Sequence, residues 1–129
     1  MRDHTKLQAF QLADQLTLQV YKATASFPRE EMFGLASQMR RAAVSVASNI
    51  VEGCARQSQS EYVRFLYLAY GSAKEVEYQA SLAHRLGYLD ETGWERLHTS
   101  CVKTARTLNA LIGSLRRLSP ERQSPKSKA

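Results

Sequence analysis

Apolar residues recur along this chain in steps of three and four, and no stretch alternates as a strand would. The clearest block runs from Gly34 to Arg56. At about 100° per residue, Leu35, Met39, Ala43, Val46 and Ile50 fall on one face, the core stripe of an amphipathic helix. Ala36, Val44, Ala47 and Val51 form a second apolar strip beside it, with Arg40 in its line, while Ser37, Arg41, Ser48 and Glu52 lie opposite. One core needs a stripe of roughly 100°, and the two strips together are wider. Gly53 is placed to stop this helix as its C′ residue.

Three further blocks surround this one. Phe10, Ala13, Leu16 or Thr17, Val20 and Thr24 predict a helix from Leu7 to Ser26, ended by Phe27-Pro28 because proline disfavours helix at the residue before it. Glu30 and Glu31 then suit the positive end of the second helix. Ser58 and Glu61 have the spacing of a capping box, and open a third helix that reaches Leu86 and is closed by Gly87. Its core stripe is Tyr62, Phe65, Leu66, Ala69, Ala73, Val76, Ala80 and Ala83. About 100° away lies a second line of Val63, Tyr67, Tyr70, Lys74, Tyr78, Ser81 and Arg85. Asp90 or Thr92 can cap a fourth helix, whose stripe of Trp94, Leu97, Cys101, Ala105, Leu108, Leu111, Leu115 and Leu118 has coiled-coil spacing. Short turns between such helices predict an all-α, antiparallel up-and-down four-helix bundle over residues 1–118. Residues 119–129, SPERQSPKSKA, read as a disordered basic tail.

The stretch SQMRRAAVSVASNIVEG, with SEYVRFLYLAYGSAKEVEYQASLAHRLGYL after it, resembles a bacterial four-helix-bundle family. Its members were first noticed as proteins encoded in intervening sequences of 23S ribosomal RNA genes, and accessory variability proteins of diversity-generating retroelements are relatives. The resemblance runs from about Leu7 to Leu118. It implies the bundle fold and no settled biochemical role. From the retroelement relatives it implies a homopentamer that binds RNA and a reverse transcriptase.

Composition adds a direction. The 129 residues suit one domain with a core that needs no metal or disulfide support. No apolar run is long enough to cross a membrane, and the N-terminus has no apolar signal segment, so a cytoplasmic protein is expected. Cys54 and Cys101 then read as free thiols. The net charge is +6, and all of the excess lies from Lys103 onward, where seven Lys or Arg face only Glu121. A basic end suits an anionic partner, nucleic acid first; the plainer reading is a solvated tail.

Catalytic patterns are incomplete. A di-iron bundle needs two Glu-x-x-His pairs, and only Glu95 with His98 has that spacing, so no metal, cofactor or catalytic residue is assigned. Cys54 lies near Arg56, which would favour its thiolate, but no histidine accompanies it in sequence. Asn49, at the edge of the core stripe, reads as a satisfied amide that fixes register. The arginines carry the function reading. Arg40, Arg41, Arg56 and Arg64 gather in sequence around the turn between the second and third helices, and up-and-down topology brings Arg56, Arg64, Arg116 and Arg117 to one bundle end. With Arg122, Lys126 and Lys128 they make the candidate nucleic-acid (RNA) surface. The plainer reading pairs each with an acid such as Glu52 or Glu61. The second strips make the candidate oligomer interface: Arg40, Val44, Ala47 and Val51 with Val63, Tyr67, Tyr70, Lys74 and Tyr78. They either merge into one patch or meet a different patch on the next subunit, with Arg40 and Lys74 pairing across the contact or lining an opening. The expected protein is therefore a non-enzymatic, self-associating RNA-binding accessory factor. The alternative is a protein-binding scaffold with an acidic partner and no nucleic-acid contact.

Overall fold

The computed structural model describes residues 2–118. They form four helices, α1 (Gln8–Thr24), α2 (Leu35–Cys54), α3 (Gln59–Arg85) and α4 (Glu91–Arg117), with 3-10 turns at His4–Lys6 and Arg29–Glu31. Side chains start the two long helices. Ser58 Oγ accepts from the Glu61 amide at 3.1 Å, and Asp90, not Thr92, caps α4 by accepting from the Gly93 amide at 2.7 Å. At the end of α3 the Gly87 amide donates to His84 and the Tyr88 amide to Ala83, with Gly87 at φ 83°, which completes a Schellman cap.

Glu31 sits one turn before α2 and caps it from outside. Its Oε1 accepts from the Leu35 amide at 3.0 Å, and its Oε2 accepts from the Tyr88 hydroxyl at 2.9 Å. These two bonds, the Leu35 amide first, hold the Glu31 carboxyl below its ordinary 4.5. A depressed carboxylate stabilises the fold above its unfolded pKa, and that contribution is lost as pH falls through the folded value. Glu31→Gln should therefore melt lower than wild type at pH 7, and the gap should close as pH falls below the ordinary 4.5 and through the lowered folded value. Melting temperatures across that range check it.

Consecutive helices pack on each other, α4 returns to α1, and the diagonal pairs do not touch. This is the expected antiparallel square. The core forms two connected halves. One gathers Leu16, Val20, Met39, Val76 and Leu97 near the α1–α2 and α3–α4 turns. The other gathers Ala13, Val46, Ile50, Leu66, Leu108 and Ile112 toward the α2–α3 turn. Burying each large side chain contributes about 1.5–3 kcal/mol.

Several expectations shift in detail. Gly53 is not a C′ residue. It lies buried inside α2, where an added Cβ would stand 2.9 Å from Phe65 Cβ, so its role is close approach of α2 to α3. Ala36 belongs to the core, not to the second strip. On α4 the buried line runs Leu97, Cys101, Thr104, Ala105, Leu108 and Ile112, while Leu118 is exposed. Eleven residues separate Leu97 from Leu108 and Cys101 from Ile112. That spacing, about 3.67 residues per turn, lies nearer the 3.6 of a straight helix than the 3.5 of a heptad, and a strict heptad line drifts off its buried face. Asn49 donates to Ser45 O at 2.9 Å and Ser45 Oγ at 3.0 Å, and Ser45 Oγ lies 2.9 Å from Ser72 Oγ on α3, a polar link that fixes register.

Candidate nucleic-acid interface and assembly flanks

The α2–α3 turn carries a basic surface. Arg56 leaves the end of α2 and Arg64 the second turn of α3, and both guanidiniums stand over the Phe65 ring, at 4.8 and 4.7 Å. Arg2 joins them: its Nη1 donates to Arg56 O at 2.6 Å, and its guanidinium lies 4.1 Å over Tyr62. From α4, Arg116 Nη1 donates to the Tyr67 hydroxyl at 2.6 Å, and Arg117 follows in the same last turn. Topology thus brings Arg56, Arg64, Arg116 and Arg117 to one end as expected. Arg2 was missed, although up-and-down order puts the start of the chain at that same end. Arg122, Lys126 and Lys128, with the tail reading, lie outside the described residues.

The plainer pairing also holds. Arg56 meets Glu52 at 2.6 Å and Arg64 meets Glu61 at 3.5 Å. Both pairs are solvent-exposed, and such pairs contribute roughly 0–1 kcal/mol, so the arginines keep most of their attraction for a phosphate. Arg40 and Arg41 do not join this cluster. Arg40 stands fourteen residues before the end of α2 at Cys54, about 21 Å along the axis, and Arg56 lies beyond that end. Arg40 is tied to α1, its Nε donating to Thr24 Oγ1 at 2.8 Å and its guanidinium 4.8 Å over Tyr21.

The second strips lie on opposite sides of the bundle. Val44 borders a ≈620 Å³ surface hollow with Tyr21, Met32, Phe33, Arg40 and Arg41, on the α1–α2 flank. Ala47 and Val51 continue its line. Phe33, 95% exposed, stands out from this flank. On α3, Lys74 and Tyr78 border a hollow with Trp94 and His98 of α4, and Val63 and Tyr67 border another with Leu115 and Arg116. These belong to the α3–α4 flank. The strips therefore do not merge. Within the single chain Lys74 pairs with Glu77 at 3.0 Å on its own helix, and Arg40 with Thr24 of α1. Tyr70 is half-buried against the core, whereas Tyr78 is 60% exposed.

The remaining candidate residues are placed as follows. Burial pushes the Cys54 thiol up, the reverse of the effect expected from Arg56, and its neighbour Tyr62 is pushed to about 12, by burial first and then by Cys54. Burial likewise pushes Cys101 to about 12. His98 lies 3.8 Å from Glu77, not on Glu95, and stacks on Trp94, which also stacks with His84. Among the described residues no three metal-ligating side chains come together. None of the described helices is long and apolar enough to cross a membrane.

The comparisons with known proteins agree on the fold. A protein of unknown function from the S23 ribosomal protein family of Bacteroides thetaiotaomicron, solved as a crystal structure, superposes with a TM-score of 0.73 at 21% identity, over 81% of this chain and 97% of that one. No curated protein matches. The family model for the 23S rRNA-intervening sequence protein matches residues 5–110. The chain belongs to the 23S rRNA-intervening sequence protein family.

Proposed function

We propose that this protein is a non-enzymatic, self-associating bundle that binds RNA at its arginine-rich end, as a cytoplasmic accessory factor. The observation that carries the reading is the convergence of Arg2, Arg56, Arg64 and Arg116 around the α2–α3 turn, three of them seated on aromatic rings and the fourth on a tyrosine hydroxyl. Guanidiniums held in this way are pre-oriented for phosphate, so less side-chain freedom is lost on binding. Contact with phosphates binds broadly and carries little sequence preference. Thiols held protonated by burial favour a binding role over a catalytic one.

Self-association rests on the Val44 flank of α1–α2 and on the Lys74–Tyr78 part of the α3–α4 flank, which leaves Val63 and Tyr67 open. A flank on α1–α2 that meets a different flank on α3–α4 makes a heterologous contact, and such contacts close into a ring where the rotation between subunits closes. Resemblance to the retroelement relatives favours a ring of five. Repeating the arginine end around a ring adds avidity for a long RNA. The test is a binding titration of the full chain with RNA. Arg56→Gln, Arg64→Gln and Arg116→Gln together should weaken binding at least about tenfold across unrelated sequences. A scaffold for a protein partner would show no RNA binding at any salt concentration.

A further inference from the structure

Between α3 and α4, beside the arginine end, lies a cleft of ≈460 Å³ lined by Gln59, Ser60, Val63, Arg64, Tyr67, Leu115 and Arg116. Its composition differs from that of a plain phosphate surface. Val63, Leu115 and the half-exposed Tyr67 ring make an apolar wall, and among the described residues no acid lines it. The Tyr67 hydroxyl accepts from Arg116 Nη1 at 2.6 Å, which fixes the ring and holds that guanidinium at the rim. Arg64 also lines the cleft, its guanidinium set 4.7 Å over Phe65. Gln59 Nε2 donates to Leu115 O at 2.9 Å and ties the two helices together at the mouth. The Ser60 hydroxyl adds a polar group there.

A duplex has no use for this wall. Its bases are stacked, and the major groove of an A-form helix is too deep and narrow to be read by side chains. An unpaired nucleotide offers both faces of its base to an aromatic ring and a phosphate to each neighbouring cation. The volume falls within the range of about 300–1,000 Å³ typical of small-ligand pockets, enough for one nucleotide and too small for a duplex. We infer that the cleft takes one unpaired nucleotide of single-stranded RNA, its base laid against Tyr67, Val63 and Leu115 and its flanking phosphates held by Arg64 and Arg116. This rests on the RNA-binding reading and narrows it: the arginine end favours single strands, and Tyr67 carries that preference.

The experiment is fluorescence anisotropy with one labelled oligoribonucleotide, presented single-stranded and as a duplex of the same length, at fixed salt. Wild type should bind the single strand about tenfold more tightly. Tyr67→Ala should remove most of that preference, losing about tenfold on the single strand and under about twofold on the duplex. Tyr67→Phe keeps the ring and should keep the preference, so a loss in Tyr67→Ala with retention in Tyr67→Phe separates stacking from damage to the fold. Equal affinity for both forms, or equal loss on both in Tyr67→Ala, overturns the nucleotide cleft and leaves the phosphate surface standing. Failure of both RNAs to bind overturns the broader reading as well.

Discussion

Gly53→Val should destabilise the bundle by about 3 kcal/mol, lowering the melting temperature by roughly 10 °C, with Gly53→Ala falling between it and wild type. The cause is contact. A Cβ at this position meets Phe65 Cβ at 2.9 Å and Tyr62 at 3.3 Å, and α2 and α3 are held at that separation by Ser45, Ser72 and the core beneath. Alanine pushes the helices apart slightly but recovers about 1 kcal/mol of helix propensity over glycine. Valine adds two methyl groups to a space that has none to spare. A glycine serving as a left-handed C′ cap would behave otherwise: asparagine would substitute with little loss, since it tolerates that backbone. Gly53→Asn is therefore expected to destabilise at least as much as Gly53→Ala. Thermal melts of the three variants give the order, and a stable Gly53→Asn would contradict the packing role.

The second large effect concerns assembly. Val44→Glu and Tyr78→Glu, each alone, should convert the oligomer to a folded 14.5 kDa monomer. Both positions are exposed in the single chain, Val44 at 40% and Tyr78 at 60%, so the substitutions spare the core. Desolvating a carboxylate in an apolar contact, even beside Arg41 or Lys74, costs about 3 kcal/mol, roughly a hundredfold in affinity. Because the strips lie on opposite flanks, every heterologous contact uses one of each. An equimolar mixture of the two variants then regains one intact contact per pair and should form a dimer. Light scattering on each variant and on the mixture reads this directly. Wild type that stays monomeric at micromolar concentration removes the assembly. Variants that stay oligomeric, or a mixture that stays monomeric, remove the opposed-flank contact.

The fold was legible because four independent kinds of signal agreed. Periodicity placed the helices, Ser58 and Asp90 marked starts, Gly87 marked an end, and short turns forced neighbours to pair. Gly53 misled because glycine near the end of a periodic block fits two roles, and only the spacing of α2 from α3 decides between them. Its line with Ala42 and Ser45, on the far side of the core stripe from Val44, was the available clue to a close neighbour. The opposition of the strips was not legible. Both are rotated in the same sense from their core stripes, so on antiparallel neighbours they either share the groove or turn away from it. The hand of the bundle chooses, and short turns leave that open. The arginine end followed from topology alone, whereas the cleft beside it required knowing that Tyr67 turns toward α4 and meets Arg116.

The central claim is that RNA is held by phosphate contacts at the arginine end. The salt dependence of RNA affinity tests it most directly, measured for wild type and for the Arg56→Gln, Arg64→Gln, Arg116→Gln variant. Each phosphate contact on a single strand contributes about 0.7 to the slope of log affinity against log salt. The account predicts a wild-type slope of about −2 or steeper, made shallower by about 2 in the variant. Tight binding that ignores salt, or a slope that the three substitutions leave unchanged, would contradict it.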